Sequence, residues 1–123
     1  MTQTDAARLG IVTGLAFEAA ILDRQFKKLD VATDYPDIRI VGADAARADR
    51  AAREMIEAGV TALMSFGVAG ALDPVLASGD LVIPAGIIGP DGESLVTDEN
   101  WTARLTNLVK DQCNVVAGDL AGS

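Results

Sequence analysis

Two short segments of the chain place chemically useful groups next to a predicted strand end. In the first, Gly14–Glu18, a glycine turn follows an apolar run, and Glu18 falls in the first turn of the next predicted helix. A carboxylate there can accept a proton from water or orient water toward an electrophile. A solvated glutamate favoured by the helix dipole alone is the other interpretation, and the residues leave both open.

The second segment is Ser65–Pro74 (SFGVAGALDP), where small residues cluster after a short apolar run. Small residues let a flat ligand lie against the backbone and use its N–H and C=O groups. A tight turn with close strand packing has the same composition, so a purely structural interpretation is equally open. The patterns GxGxxG and GxxxxGK[ST] are absent, which makes a nicotinamide-binding Rossmann-like domain a poor third alternative.

Several classes of chemistry are excluded by the residue types. The chain has no histidine, which removes Ser-His-Asp and Cys-His nucleophile schemes and the usual imidazole metal ligands. Cys113 is the only cysteine, so an internal disulfide or a cysteine-based zinc site is impossible. We therefore expect no metal site, and acid–base chemistry must come from carboxylates, lysine, tyrosine, the thiol or bound water.

Composition and charge indicate a folded acidic protein. The 123 residues fit one domain, half of them are hydrophobic, and the net charge is −8. A surface of this sign repels phosphate backbones, so we expect no nucleic-acid partner. Met1–Arg8 contains no apolar segment and no apolar run reaches the ~18 residues of a membrane span. These features predict no signal peptide, no membrane span and a cytoplasmic location.

Hydrophobic patterns predict alternating strands and helices. We expect strands at 9–14, 38–41, 61–66, 80–89 and 114–117, and helices at 16–29, 44–58 and from Thr97 or Asp98 onward. This order predicts an α/β fold with three layers, a mostly parallel mixed sheet flanked by helices. Pro84 indicates an edge position or a bulge in the fourth strand. Ligands collect beyond the carboxyl ends of such strands, where Gly14–Glu18 and Gly67–Gly70 lie.

The helical spacing also predicts which side chains are buried. The apolar stripe of the second helix contains Ala45, Ala48, Ala52, Met55 and Ile56, and that of the last helix contains Trp101, Leu105, Leu108 and Val109. Three arginines of the second helix, Arg47, Arg50 and Arg53, are expected on an exposed face paired with Asp49, Glu54 and Glu57, with an anion site as the alternative.

Three segments together resemble the superfamily of nucleoside phosphorylases and nucleosidases, which contains purine and uridine phosphorylases and methylthioadenosine/adenosylhomocysteine nucleosidases. They are Ile11–Glu18 (IVTGLAFE), Gly42–Ala46 and, most specifically, Ser65–Pro84. The Ser65–Pro74 and Asp98–Trp101 segments look closest to bacterial hopanoid-associated phosphorylase-like proteins, which are implicated in removing adenine from adenosylhopane. The resemblance implies a phosphorylase/hydrolase-like fold and a small-molecule purine nucleoside substrate.

Individual roles follow from this resemblance. Glu18 matches the glutamate that activates the attacking water in the nucleosidases. The positions that match substrate-binding residues are Leu15, Ala43, Ser65, Val68, Ala69 and Gly70. Val68 to Gly70 match the turn whose backbone lies against the purine and ribose, and Val68 replaces a serine, which suits a more apolar ligand.

Ser65 stands where bacterial purine phosphorylases place a phosphate-binding arginine. A serine lacks the fixed cation that holds phosphate, so the resemblance implies hydrolysis rather than phosphorolysis. No cofactor is expected, and phosphate enters only in the phosphorolytic alternative.

Other motifs of the family find no match in this chain. These are a purine-stacking aromatic residue, a Met-Glu-Ser type motif for the ribose hydroxyls and an aspartate that protonates the base. The resemblance therefore implies that residues 1–123 are the N-terminal portion of a phosphorylase-like domain. We expect no turnover by this chain alone, and a homo-oligomer or a second polypeptide that completes the fold. A non-catalytic nucleoside-binding module is the other alternative.

Overall fold

The computed structural model describes residues 8–29 and 35–121. Their contacts define two compact units, one ending at Ala69 and the other beginning at Gly70. The predicted absence of a signal peptide over Met1–Arg8 concerns residues that, apart from Arg8, lie outside the described ranges. None of the helices in these ranges is long and apolar enough to cross a membrane.

The first unit is built around a parallel three-stranded sheet. Its elements are β1 (Leu9–Thr13), α1 (Ala16–Lys28), β2 (Asp37–Ile40), α2 (Ala45–Glu57) and β3 (Ala62–Ser65). The strand order is β2-β1-β3, and the central Ile11 is in register with Ile38 on one side and Met64 on the other. The alternation of strands and helices predicted from the sequence is confirmed here, with boundaries shifted by no more than one residue.

Alternate residues of β1 face opposite layers, as side chains in a strand must. A Cβ added at Gly10 would lie 2.8 Å from the Met55 sulfur, so Gly10 and Val12 face α2. Ile11 and Thr13 point to the other face and are almost fully buried, and α1 contacts β1 and β2 there. Helices on both faces make this unit the three-layer α/β arrangement expected of parallel strands.

Helix α2 begins at a well-formed cap and packs on the core through one narrow stripe. The Asp44 side chain accepts hydrogen bonds from the backbone N–H groups of Ala46 and Arg47, at 2.9 and 3.2 Å. The core cluster contains Val41, Ala51, Met55 and Val60. The prediction was wrong for Ala45, which is exposed in the first turn, and for Ile56, which is 55% exposed. Each residue turns the helix by about 100°, so Ile56 lies outside a stripe centred on Met55.

Ion pairs cover the solvent side of this unit. Arg53 pairs with Asp49 at 2.9 Å, as predicted. Glu54 pairs instead with Arg39 of β2 at 3.0 Å, and Arg39 also contacts Asp37 at 2.8 Å. The predicted Arg50–Glu54 pair is therefore replaced by a contact between helix and strand, which an i,i+4 rule cannot anticipate.

The second unit contains shorter strands in two small sheets. Its elements are β4 (Leu81–Val82), β5 (Gly86–Ile88), β6 (Ser94–Val96), α3 (Glu99–Val109), β7 (Val115–Val116) and β8 (Asp119–Ala121). β4 pairs with β7 in parallel, while β5 pairs with β6 antiparallel and with β8 parallel. The single strand predicted at 80–89 is wrong. It is divided into β4 and β5 around Pro84, which has no backbone N–H for a ladder.

Helix α3 has the predicted start, but none of its residues is fully buried, and Trp101, Leu105 and Val109 of the predicted face are half-buried. The Asp98 side chain caps it by accepting from the Trp101 N–H at 2.8 Å. Leu108 is 71% exposed, so its predicted burial is wrong. The half-buried face turns toward Thr102 and Thr106, whose hydroxyls are satisfied by Thr97 at 3.2 Å and by the Thr102 carbonyl at 2.9 Å. Satisfied hydroxyls can be buried at little cost, which an apolar-stripe rule does not count.

The packing of α2 makes a paired prediction. Met55→Ala removes a fully buried side chain and leaves a cavity, so the free energy of unfolding should fall by about 2–5 kcal/mol. Ile56→Ala, one residue away, should change it by about 0.5 kcal/mol or less. Urea unfolding of both variants measures the difference. Equal losses would show that the stripe is centred between the two residues rather than on Met55.

Candidate functional site

The candidate site lies at the carboxyl edge of the first unit's sheet. From β1 the chain passes through Gly14–Leu15 into α1 and on to β2, and from β2 it returns through α2 to β3 on the other side. The connections therefore diverge between β1 and β3. In open parallel sheets this switch point is where a crevice forms and ligands bind.

Glu18 spans this switch point. Its Oε1 accepts from the Gly14 N–H at 3.1 Å and the Leu15 N–H at 2.9 Å, and its Oε2 accepts from the Val68 N–H at 2.7 Å. Leu15 is the N-cap of α1 and has no side-chain oxygen, so Glu18 at the third helical position reaches back to its backbone. The structure thus brings together Glu18, Leu15 and Val68 of the predicted set.

The Glu18 carboxylate is buried, with only 3% of the residue exposed. No ion pair among residues 8–29 and 35–121 includes it, so backbone dipoles and the α1 N-terminus stabilise its charge. A solvated first-turn glutamate does not fit this burial. We call the three hydrogen bonds of Glu18 to Gly14, Leu15 and Val68 the carboxylate clamp.

The clamp limits what Glu18 can do chemically. A carboxylate offers about four acceptor positions, and three are used, which leaves one on Oε2. A water molecule activated by Glu18 has to occupy that position. Only 3% of Glu18 is exposed, so little of that position is open to water while the Gly67–Val68 turn lies against the carboxylate. The catalytic role of Glu18 stays a prediction.

The clamp also uses a backbone group of the turn that was predicted to contact the ligand, the Val68 N–H. The Val68 N–H points at Glu18 Oε2 and is not free, while the Val68 side chain is exposed. Ala69 is exposed at the end of the first unit, and Gly70 begins the second unit. Within the first unit, a ligand at this turn has the Val68 side chain and the backbone of Ala69 to contact.

Two other predicted residues stay outside the clamp. Ala43 is exposed in the turn between β2 and the Asp44 cap. Ser65 is exposed and is in register with Val12, which places it on the α2 face of the sheet. Neither residue contributes to the hydrogen bonds of Glu18. Their substrate-binding roles stay predictions.

Sequence reasoning missed two residues that support the clamp. Thr13 is 2% exposed, and its hydroxyl lies 3.5 Å from the Leu15 carbonyl at the end of β1. Gly67 lies directly beneath the carboxylate. A polar residue at the end of a buried strand was the available signal for Thr13, whereas nothing in the pattern distinguishes Gly67 from Gly70.

A second depression lies beside α1 rather than at the strand ends. It is an open groove of about 400 Å³ lined by Ala16, Ala19, Asp23, Tyr35 and Ile38 among others. The Tyr35 hydroxyl donates a hydrogen bond to the Asp23 carboxylate. The rings of Tyr35 and Phe26 pack edge-on, with 6.0 Å between their centroids. The hydrogen bond from Tyr35, and to a smaller extent the one from Lys27, holds the pKa of Asp23 below its ordinary value. The hydrogen bond to Asp23 raises the pKa of Tyr35.

The comparison with known families is decisive for membership. A family model described as phosphorylase superfamily matches residues 41–117, which is more than half of the chain. The chain belongs to the phosphorylase superfamily. This confirms the resemblance at the level of the superfamily. No curated protein and no solved structure matches the chain.

The matched range includes Ala43, Ser65 and the Val68–Gly70 turn and begins after Glu18. Superfamily membership supports nucleoside phosphorylase or nucleosidase activity in general terms. Membership alone does not assign the hydrolytic mode, the identity of the nucleoside or the role of Glu18.

The clamp predicts an unusual sensitivity to an isosteric change. Glu18→Gln replaces one acceptor oxygen with an NH₂ group that cannot accept from a backbone N–H. At least one buried N–H then loses its partner, at a cost of about 1–3 kcal/mol in unfolding free energy. Glu99→Gln, in the exposed first turn of α3, loses only the dipole interaction of about 0.3–1 kcal/mol. Urea unfolding that shows equal effects would contradict the clamp.

The groove predicts a pKa change. Tyr35→Phe removes the largest cause of the lowered Asp23 pKa, so that pKa should rise toward its ordinary value. A carboxyl group whose pKa is lowered in the folded state stabilises the fold at pH values above its ordinary pKa, and this stabilisation is lost as the pH falls through the lowered pKa. In the variant the two pKa values should lie closer together, so the stabilisation should be smaller. Carboxyl NMR titration measures the shift, with Lys27→Met as the variant of smaller expected effect. An unchanged Asp23 pKa would refute the assignment.

Proposed function

We propose that this chain supplies the carboxylate that activates water and the turn that faces the base in a purine-nucleoside site for N-glycosidic bond cleavage. The observation that carries the proposal is the 2.7 Å contact between Glu18 Oε2 and the Val68 N–H at the β1–β3 switch point. It brings the only buried carboxylate of the described residues to the turn that resembles the purine- and ribose-binding turn of the superfamily. Membership in the phosphorylase superfamily supports the reaction class.

The proposed chemistry passes through an oxocarbenium-like sugar. Water attacks the anomeric carbon as the bond to the base breaks, and the base leaves with a proton supplied by an acid. Glu18 receives the proton of the attacking water on the one acceptor position that the clamp leaves on Oε2. Its preorganised charge also stabilises the positive sugar. This role requires the Gly67–Val68 turn to open when the nucleoside binds, because Glu18 is buried in its absence.

Hydrolysis is the proposed mode. Ser65 provides no cation for phosphate, and the chain as a whole carries a net charge of −8. This negative charge disfavours the anion phosphate as the second substrate. Phosphorolysis is the alternative within the same superfamily.

An adenosyl compound with a large apolar substituent, such as adenosylhopane, is the proposed substrate. Three apolar side chains near the clamp, Leu15, Phe17 and Val68, are 49%, 52% and 72% exposed. Exposed apolar groups beside a polar site suit a ligand that joins a nucleoside to a hydrophobic body. The resemblance to hopanoid-associated proteins in Ser65–Pro74 supports the same choice.

The closed clamp favours a second candidate, a nucleoside-binding module without turnover. A carboxylate already satisfied by three donors is a structural group first, and binding alone would not require water to reach it. Completion by a second copy or another polypeptide is proposed with either function. Ile40 and Leu63, on the two outer strands of the first unit's sheet, are exposed. A cytoplasmic location remains a prediction.

Calorimetric titration tests the proposed nucleoside site and distinguishes it from a site that also binds phosphate. We expect heat on titration with adenosine, and binding weakened by about tenfold or more in Glu18→Gln, which corresponds to loss of one hydrogen-bonded group. Glu99→Gln is the control that should bind like the unaltered chain. Titration with inorganic phosphate should give no heat. Absence of heat at millimolar adenosine would refute the nucleoside site, and heat with phosphate would favour phosphorolysis.

An adenine-release assay tests the chemistry. With an adenosyl substrate, this chain alone should release no adenine, because the matched motifs supply no acid for the departing base. Robust release that persists in Glu18→Gln would overturn the role of Glu18. Release that yields free sugar without added phosphate would support hydrolysis, and a sugar phosphate product would contradict it.

A further inference from the structure

Gly67 occupies a position that no other residue type can fill without moving Glu18. A Cβ built there would lie 2.4 Å from Glu18 Oε2 and 2.7 Å from its carboxyl carbon. Real Cβ contacts are never this short. The backbone at Gly67 does not have the positive φ found at Gly42 or Gly79, so the requirement is for space rather than for conformation.

The other glycine of the turn has no such constraint. A Cβ at Gly70 would meet nothing within 4 Å. Close approaches also occur at Gly86 and Gly89, where the nearest atoms belong to the exposed carboxylates of Asp119 and Glu93. Those side chains can swing into solvent. The Glu18 carboxylate is 3% exposed and held by three N–H groups, so it cannot move without losing them.

We propose that Gly67 is a positioning residue for the candidate site. Its missing side chain lets the Glu18 carboxylate close on the Val68 N–H, and this closure fixes the turn after β3 relative to the turn after β1. The significance for nucleoside cleavage rests on the proposed function, whereas the positioning itself is a property of the fold.

Substitution of Gly67 can separate the position of the Glu18 carboxylate from its charge, which substitution of Glu18 by Gln cannot do. Glu18→Gln removes the charge and breaks the clamp together, so its effects on geometry and chemistry are mixed. Gly67→Ala keeps the carboxylate and displaces it. Adding Glu18→Asp withdraws the carboxylate by up to about 1.5 Å, one C–C bond, which makes room for the new methyl group. Rescue by the shorter acid is therefore specific to a steric conflict at this position.

The experiment uses the whole chain with Gly67→Ala, Glu18→Asp, the double variant and Gly118→Ala as the control. Gly118 has no neighbour within 4 Å of an added Cβ and no positive φ. The backbone N–H resonance of Val68 reports its hydrogen bond to the carboxylate, and thermal unfolding reports stability. We expect Gly67→Ala to move the Val68 resonance and lower the melting temperature by about 4 °C or more. The double variant should regain part of both, and Gly118→Ala should match the unaltered chain.

An unchanged Val68 resonance in Gly67→Ala would overturn the proposal, and so would a double variant no better than Gly67→Ala. If Gly67→Ala does not fold, folding of the double variant supports the proposal. Failure of the double variant, when Glu18→Asp alone folds, refutes it. These measurements need no ligand. Adenosine titration of the same set then tests the proposed function separately, since loss of nucleoside binding leaves the resonance result intact.

Discussion

A buried carboxylate is stable only if donors replace the water it has lost, and Glu18 finds those donors in two turns that are distant in sequence. Gly14 and Leu15 hold one oxygen, and Val68, fifty residues after Glu18, holds the other. The carboxyl ends of β1 and β3 are thereby joined through one side chain. The geometry of the candidate site depends on this contact, because it sets where the turn after β3 lies.

The same contact creates a tension between structure and chemistry. In the proposed reaction, a clamp with three donors preorganises the charge that would stabilise a positive sugar, and it leaves only one acceptor position for water. The Val68 N–H that the resemblance assigns to the ligand is already bonded to Glu18. The proposed activation of water by Glu18 therefore requires movement of the Gly67–Val68 turn. A module that only binds has no need of that movement.

The α/β class, the parallel strand direction in the first unit and the starts of all three helices followed from local patterns. Helix caps such as Asp44 and Asp98 depend on near neighbours, which makes them predictable. The errors have a common cause in packing. Ile56 and Leu108 fit an apolar stripe, yet the buried face is centred elsewhere, on Met55 in α2 and toward bonded threonines in α3. Strand 80–89 is divided at Pro84, which has no backbone N–H, and its two pieces pair with different strands, β4 with β7 and β5 with β6 and β8.

By itself the sequence determined that histidine takes no part in any chemistry of this chain, that its single cysteine cannot form an internal disulfide, and that Glu18 and the glycine turn each follow a strand of an α/β layer. Those conclusions need only residue types and short-range periodicity. Only the tertiary structure decided that Glu18 is buried, that Val68 is its partner and that Gly67 must be bare while Gly70 is free. The reason is that these properties are distances between atoms far apart in the chain, which strand order and register bring together.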